Sequence, residues 1–285
     1  MASFSRPLRS VLYIPGSKPR ALDKARGLAV DAIIFDLEDA VSPDEKPAAR
    51  ATLAAALDQG GYGARYKVAR INGFDTIWGQ DDARAVAQMG IDAVLLPKVN
   101  TPDDLDALAA ITGDLPLWAM METPLGILNA AQIAAHPRLG AMVMGTNDLA
   151  KELQTRFRPD RLPMLAGLGQ CLLAAKAYGV AIVDGVYNAF KDQDGLAAEC
   201  EQGRDMGFDG KTLIHPMQID AANTAFAPTA DEVDLARRQI AAFDQAIAAG
   251  QAVAVVDGKI VENLHVATAR ETLAKMQAIE ALNAE

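Results

Sequence analysis

The sequence predicts an α/β fold, a (β/α)8 barrel carrying a C-terminal extension of helix and β-hairpin. Three observations predict it. Eight short apolar runs are separated by Ala- and Leu-rich stretches of helical character, the runs are close to continuously apolar, and polar residues collect at their C-terminal ends. Eight strand-helix units in under about 230 residues suit a closed parallel barrel better than an open doubly wound sheet. No G-x-G-x-x-G follows a strand, so nothing marks a dinucleotide fold.

Taken in order, the strand runs are SVLYIPG (10–16), AIIFDLEDA (32–40), KVARIN (67–72), AVLLPKV (93–99), LWAMMET (117–123), AMVMGTND (141–148), AIVDGVY (181–187) and KTLIHP (211–216). Helix starts are readable between them. Ser42-Pro43-Asp44-Glu45 and Thr101-Pro102-Asp103-Asp104 each join a hydroxyl cap to a proline and first-turn acids. Past His215 the chain reads as a helix over about 230–249, a hairpin in AVAVVDGKIVE (252–262) turning at Asp257-Gly258, and a terminal helix. With no internal repeat longer than the strand-helix unit and no linker, the chain divides into a barrel, 1–228, and a C-terminal extension, 229–285.

Composition narrows the function. The 27 Lys+Arg against 37 Asp+Glu leave a net charge of -10, which opposes binding to nucleic-acid phosphate or anionic lipid and favours a small-molecule substrate. Met1 to Ser10 has arginines but no apolar core of a targeting segment, and no stretch is long enough to span a membrane. The two cysteines, Cys171 and Cys200, lie in helix-like stretches without metal-site spacing, which fits a reducing compartment. The expectation is a cytoplasmic enzyme.

Glu122 and Asp148 close neighbouring strands five and six, so their carboxylates converge on one edge of the barrel mouth as hard oxygen ligands for Mg²⁺ or Mn²⁺. Zinc is disfavoured because His136, His215 and His265 are scattered. Asp36, Glu38 and Asp39 form dense negative charge after strand two, where a cation would offset burial; the bland alternative is helix capping or pairing with Lys46 or Arg50. Arg70 brings a planar donor fork to the rim, suited to a carboxylate or a developing enolate oxygen. Asn72, Asp184 and His215 share the same rim position. Ser17, Lys18 and Arg20, at a helix start, suit the phosphates of a long cofactor tail. Lys98 stands where a Schiff-base lysine would, but nothing indicates the apolar burial that would lower its pKa, and it reads as an ion-pair partner.

Six strings in order, RSVLYIPGS, AIIFDLEDAV, RINGFDTIW, LPKV, METPLGILNA and MGTNDLAKEL, resemble the citrate lyase β-subunit-like branch of the HpcH/HpaI aldolase family. The resemblance runs from about Arg9 to Arg270. It implies a Mg²⁺-bound barrel acting on malyl-CoA-type 3-hydroxyacyl-CoA thioesters. Glu122 and Asp148 match the metal ligands, Glu38 and Asp39 match acids that hold the metal's waters, and Gly145, Thr146 and Asn147 match the backbone cradle for the substrate carboxylate. Arg70 matches the arginine that contacts the thioester or enolate oxygen, and Ser17, Lys18 and Arg20 fall where CoA would bind.

The tail departs from the lyase pattern. Lyases of the family carry an Asp on a lid that closes a neighbouring subunit's site, where this chain has Glu262 in Gly258-Lys259-Ile260-Val261-Glu262. The carboxylate sits one methylene farther out, and a misplacement of about 1 Å costs on the order of a hundredfold in rate. The whole pattern is most similar to the thioesterase branch. The resemblance therefore implies hydrolysis of (3S)-malyl-CoA to malate and CoA, with C–C cleavage to acetyl-CoA and a 2-oxo acid as the alternative. A noncatalytic or carrier-dependent subunit of a lyase complex is the alternative of another class. An exchanged lid further implies a homo-oligomer.

Overall fold

The computed structural model describes residues 6–284. The targeting-segment reading of the N-terminus falls partly on residues 1–5, outside the described residues. Among the described residues no helix is long and apolar enough to cross a membrane.

Eight parallel strands, β1 (Ser10–Pro15), β2 (Ala32–Asp36), β3 (Tyr66–Arg70), β4 (Ala93–Leu96), β5 (Leu117–Met121), β6 (Leu139–Met144), β7 (Ala181–Asp184) and β8 (Gly210–Leu213), close into a barrel in sequence order, with β8 pairing β1. The (β/α)8 architecture is the one the sequence predicts. The helices of this unit are α1 (Pro19–Ala25), α2 (Lys46–Asp58), α3 (Gly79–Val86), α4 (Pro102–Thr112), α5 (Pro124–Leu128), α6 (Ala130–Ala134), α7 (Thr146–Leu153), α8 (Leu165–Tyr178), α9 (Gln193–Met206) and α10 (Ile219–Ala225). Ser42-Pro43 opens a short 3-10 turn that runs into α2, and Asp104 accepts a hydrogen bond from the Thr101 amide (2.9 Å) at the start of α4.

Strand period 2 sorts the barrel into two cores. One cluster takes Val11, Ala32, Ile34, Val68, Leu95, Trp118, Met120 and Val143, every second strand residue, and fills the lumen. The other takes the intervening residues, such as Leu12, Ile33, Phe35, Val94, Met121 and Ile182, with the helix faces. Tyr66 and Trp118 stack within the lumen, ring centroids 5.7 Å apart.

Several strands stop earlier than the apolar runs suggest. After Asp36 the chain turns, because that carboxylate accepts from the amides of Glu38 (2.9 Å) and Ala40 (3.0 Å). Strand four ends at Pro97, which has no N–H, and β6 stops at Met144 so that Thr146 can begin α7. Asp148 is consequently a first-turn residue of α7 instead of a strand-end residue.

The chain resolves into two compact units, Leu8–Phe226 and the segment from Ala227 onward. In the second, α11 (Ala230–Ala248) begins at a Thr229/Glu232 capping box and packs with α12 (Asn263–Ala284). Between them β9 (Ala254–Val256) and β10 (Lys259–Val261) pair antiparallel. Asp257 and Gly258 both take positive φ, 50° and 73°, as the tight hairpin turn requires. Phe243, Ala254, Val256, Val261 and Val266 form the core of this unit.

Candidate active site

The site is the lumen carried one step upward. Ile34 leads to Asp36, Val68 to Arg70, Met120 to Glu122 and Val143 to Gly145, each two residues on, so side chains that begin as apolar filling end as charge at the mouth. A cavity of about 310 Å³ opens there, lined by Arg70, Glu122, Asp148, Asp39, Gly145, Thr146 and Asn147 together with Tyr13, Met120, Val186 and Ile214.

Arg70 is buried and held by a fork. Its Nε and Nη2 donate to the two oxygens of Asp36 at 2.7 and 2.6 Å, across a directly paired register position of β2 and β3. Its Nη1 lies 2.8 Å from Glu38 Oε2 and 3.6 Å from Asp39, and its guanidinium sits 4.9 Å from the Tyr13 ring centroid. Burial pushes Asp36 upward, but the Arg70 charge and its hydrogen bonds win and hold the carboxyl below the ordinary range.

Glu122 accepts the Lys98 N–H on Oε1 (2.8 Å). Its other oxygen lies against Gly145, where any Cβ would collide with the Glu122 side chain. Burial, reinforced by the Asp148 charge, pushes Glu122 up to about 7. Burial raises Glu38 to about 8, with Asp39, Glu122 and Asp36 adding repulsion that Arg70 only partly offsets. Glu38 Oε2 is buried and out of line for any hydrogen bond, Arg70 Nη1 included. A donor set of carboxylates with excess negative charge and an unserved acceptor fits a hard divalent cation. Among the described residues no three His, Cys, Asp or Glu gather into a full ligand set, so such an ion would take its remaining ligands from water and substrate, as Mg²⁺ does.

The remaining expectations divide. The Gly145 N–H is already donated to Met121 O (3.1 Å), which leaves the Thr146 and Asn147 amides at the start of α7 for an anion. The Asn147 side chain exchanges hydrogen bonds with Asn188 (3.2 and 2.7 Å). Ser17 and Lys18 lie outside the cavity lining and reach Glu45, the lysine at 2.9 Å, while Arg20 is exposed. Neither Lys46 nor Arg50 pairs with the acids after β2: Lys46 donates to the Leu37 and Glu38 carbonyls and Arg50 to Asp82. The carboxylates around the Lys98 ammonium, Glu38, Asp148, Glu122 and Asp75, act on it by charge and not as a close salt bridge. Burial works to lower its pKa, yet Glu38, Asp148, Glu122 and Asp75 together hold it above the usual value.

Two rim residues turn away. Asp184 faces the helix layer, where it accepts from Arg161 (2.7 Å) and Lys211 (3.1 Å), and Asn72 bonds Asp82 (2.6 Å). His215 caps the turn at Pro216–Gln218 and stacks on Phe190. Tyr13, Val186 and Ile214 went unnoticed in the sequence. Tyr13 was legible by parity, two residues past the lumen residue Val11. Glu262 belongs to the second unit, exposed, with its own N–H donated to His265 Nδ1 (3.0 Å).

Residues 9–216 match the HpcH/HpaI aldolase/citrate lyase family model, nearly the whole barrel unit. The chain belongs to that family. Among its relatives, a (3S)-malyl-CoA thioesterase of Cereibacter sphaeroides is 66% identical over 284 residues, covering 100% of both chains. The citrate lyase subunit beta of Escherichia coli is 34% identical over 96% of this chain and 94% of its own. The crystal structure of CitE from Mycobacterium tuberculosis in complex with magnesium, acetoacetate and coenzyme A superposes with a TM-score of 0.81 at 30% identity, covering 97% of this chain and 99% of that one. The CitE alignment extends beyond the family match, and the strings that suggested the family in the sequence fall on β1 to α7.

Proposed function

We propose that this chain is a Mg²⁺-dependent hydrolase that converts (3S)-malyl-CoA to malate and CoA. The observation that carries the reading is the full-length 66% identity to (3S)-malyl-CoA thioesterase, against 34–36% for the citrate lyase subunits. The magnesium and coenzyme A in the CitE structure support the metal and the thioester class. Glu122 and Asp148 would hold the ion, with Glu38 and Asp39 ordering its waters; Mn²⁺ satisfies the same oxygen set. When bound, the ion supplies fixed positive charge for the hydroxyl and carboxylate oxygens of the malyl group.

The chain's own residues do the rest. The Thr146 and Asn147 amides hold the malyl carboxylate at the positive end of α7. Arg70, immobilised by Asp36, donates from Nη1 to the oxyanion that forms as water adds to the thioester carbon. Glu262 accepts the proton of that water, the C–S bond breaks, and CoA leaves as its thiolate. Ser17, Lys18 and Arg20 are the cations and hydroxyl assigned to the CoA phosphates. The outward face of the hairpin carries Val255 and Ile260, cross-strand partners that are 65% and 60% exposed, which supports a lid docked on a second copy of the chain.

The test is one incubation of purified protein with (3S)-malyl-CoA and Mg²⁺, following free thiol and glyoxylate together, with an EDTA control. Thiol and malate without glyoxylate support hydrolysis. Glyoxylate with intact acetyl-CoA transfers the reading to C–C cleavage, which the citrate lyase relatives keep as the second possibility. Turnover only with an acyl-carrier partner would make the chain a subunit. Glu262→Gln is expected to lower kcat by on the order of a hundredfold with an unchanged unfolding midpoint, because the side chain is exposed.

Metal affinity should follow pH. In the metal-free protein Glu122 and Glu38 protonate near about 7 and about 8, and a cation binds their ionised forms. Mg²⁺ affinity is therefore expected to rise with pH up to about 8 and level off above it, as titrations at fixed ionic strength would show. Both folded-state values lie above those of the unfolded chain, so the stability these two groups contribute to the metal-free fold is fully present below the ordinary carboxylate value and is lost as pH climbs through about 7 to about 8. A flat Mg²⁺ affinity from pH 6 to 9 would contradict the assignment of Glu122.

A further inference from the structure

Among the described residues Lys98 is one of four non-glycine residues with positive φ, at 51°, directly after Pro97 at the end of β4. An L side chain keeps that conformation only where its surroundings enforce it, and such positions cluster where function uses the resulting direction. Here the direction is toward Glu122: the Lys98 N–H donates to Oε1 at 2.8 Å. The next peptide, which carries the Lys98 carbonyl, is held as well. Asn100 Nδ2 donates to the Lys98 carbonyl (3.0 Å), and Asn100 Oδ1 accepts from the Thr123 hydroxyl (2.6 Å).

Thr123 is the residue after Glu122, so the contacts close a ring that leaves the strand-five end at Glu122 and returns at Thr123. Asn100 is itself fixed, its N–H on Asp104 (2.8 Å) and its carbonyl under Asn129 (2.9 Å). The Lys98 ammonium takes no part in the ring. With Oε1 held by the amide and Gly145 admitting no Cβ beside the carboxylate, Glu122 has one orientation in which Oε2 is free to serve a ligand.

We infer that Lys98 and Asn100 are positioning residues for Glu122, the left-handed Lys98 backbone aiming its N–H at the carboxylate and Asn100 locking that backbone through the Lys98 carbonyl. This rests on the reading of Glu122 as a metal ligand. A partner that fixes a ligand in this way typically changes metal affinity by about ten- to a hundredfold when removed.

The test is calorimetric titration of Mg²⁺ alone into the metal-free full-length chain and its variants, with unfolding midpoints alongside. Lys98→Gly keeps the amide and suits the left-handed φ, so its Kd is expected within about threefold of the parent. Lys98→Pro removes the N–H and cannot take a positive φ, and its Kd is expected to rise by about tenfold or more. Asn100→Ala, which leaves both residues of the amide contact in place, is expected to weaken binding by about tenfold with a near-parental midpoint. Lys98→Gly binding as poorly as Lys98→Pro would overturn the inference in favour of the side chain, a result readable even if the proline variant does not fold. Parental affinity in Asn100→Ala and Lys98→Pro, beside a Glu122→Ala variant that no longer binds, would overturn it alone. Parental affinity in Glu122→Ala would instead remove the metal reading, and the inference with it.

Discussion

Arg70→Lys is expected to lower kcat for malyl-CoA by about a hundred- to a thousandfold while the protein stays folded, the loss typical of removing one oxyanion donor. Lysine keeps the charge but not the fork. In the parent, Nε and Nη2 are consumed by Asp36 at 2.7 and 2.6 Å, which leaves Nη1, 2.8 Å from Glu38 Oε2 and 4.0 Å from Met120 Sδ, as the remaining donor at the cavity lining. A lysine ammonium can satisfy Asp36 or reach the mouth, and it has no plane to lie against Tyr13. Arg70→Ala answers a different question, because it strands Asp36 and Glu38 as buried acids and is expected to cost about 3–5 kcal/mol in stability. The comparison to make is kcat against KM for Arg70→Lys at matched Mg²⁺. Turnover within tenfold of the parent would mean that a positive charge suffices and that the donor geometry at Arg70 is not what catalysis uses.

Lys211→Met is expected to produce the largest loss of stability away from the mouth, about 3–5 kcal/mol. Lys211 is fully buried, with Asp184 at 3.1 Å and Glu199 at 2.7 Å, and burial alone would lower its pKa were those two carboxylates not holding it up. Removing it leaves two acids to Arg161, whose Nη1 reaches Asp184 at 2.7 Å but Glu199 only at 3.8 Å. For a chain of this size the thermal midpoint should fall by roughly 6–15 °C. Lys18→Met, which breaks an exposed pair with Glu45, should leave the midpoint where it was. An Lys211→Met midpoint equal to the parent's would mean that the buried cation contributes nothing over an apolar side chain of similar length.

The strands were legible because β4 and β5, and β2 as far as Phe35, are buried on both faces and therefore apolar at every position, and because turns and caps punctuate them. Glu122, Asp148 and Arg70 were legible because a charged residue at or just past the end of a buried strand has few places to be except the mouth. The same signature misled at Asp184, which also ends a strand. Parity separates the cases: Val183 is a lumen residue, so Asp184 must face the helices, whereas Arg70 continues the lumen column from Val68. Lys98 was read by its side chain, when what the site uses is its N–H in a backbone conformation that no residue type announces. Met144 marks the other limit, since the apolar run through Gly145 hides the change from strand to helix that carries Asp148 round to Glu122.

The columns that rise through the lumen also dictate where the chain tolerates a change of length. One residue inserted or deleted inside β2, β3 or β5 would rotate Asp36, Arg70 or Glu122 by half a pleat, out of the mouth and into the helix layer, and would expose the opposite core in the same step. The same residue added in the segment that enters a strand from below only lengthens a loop. Natural insertions and engineered fusions should accordingly accumulate beneath the barrel and between its units, while the strands behave as fixed-length rulers that set the height of each charged group.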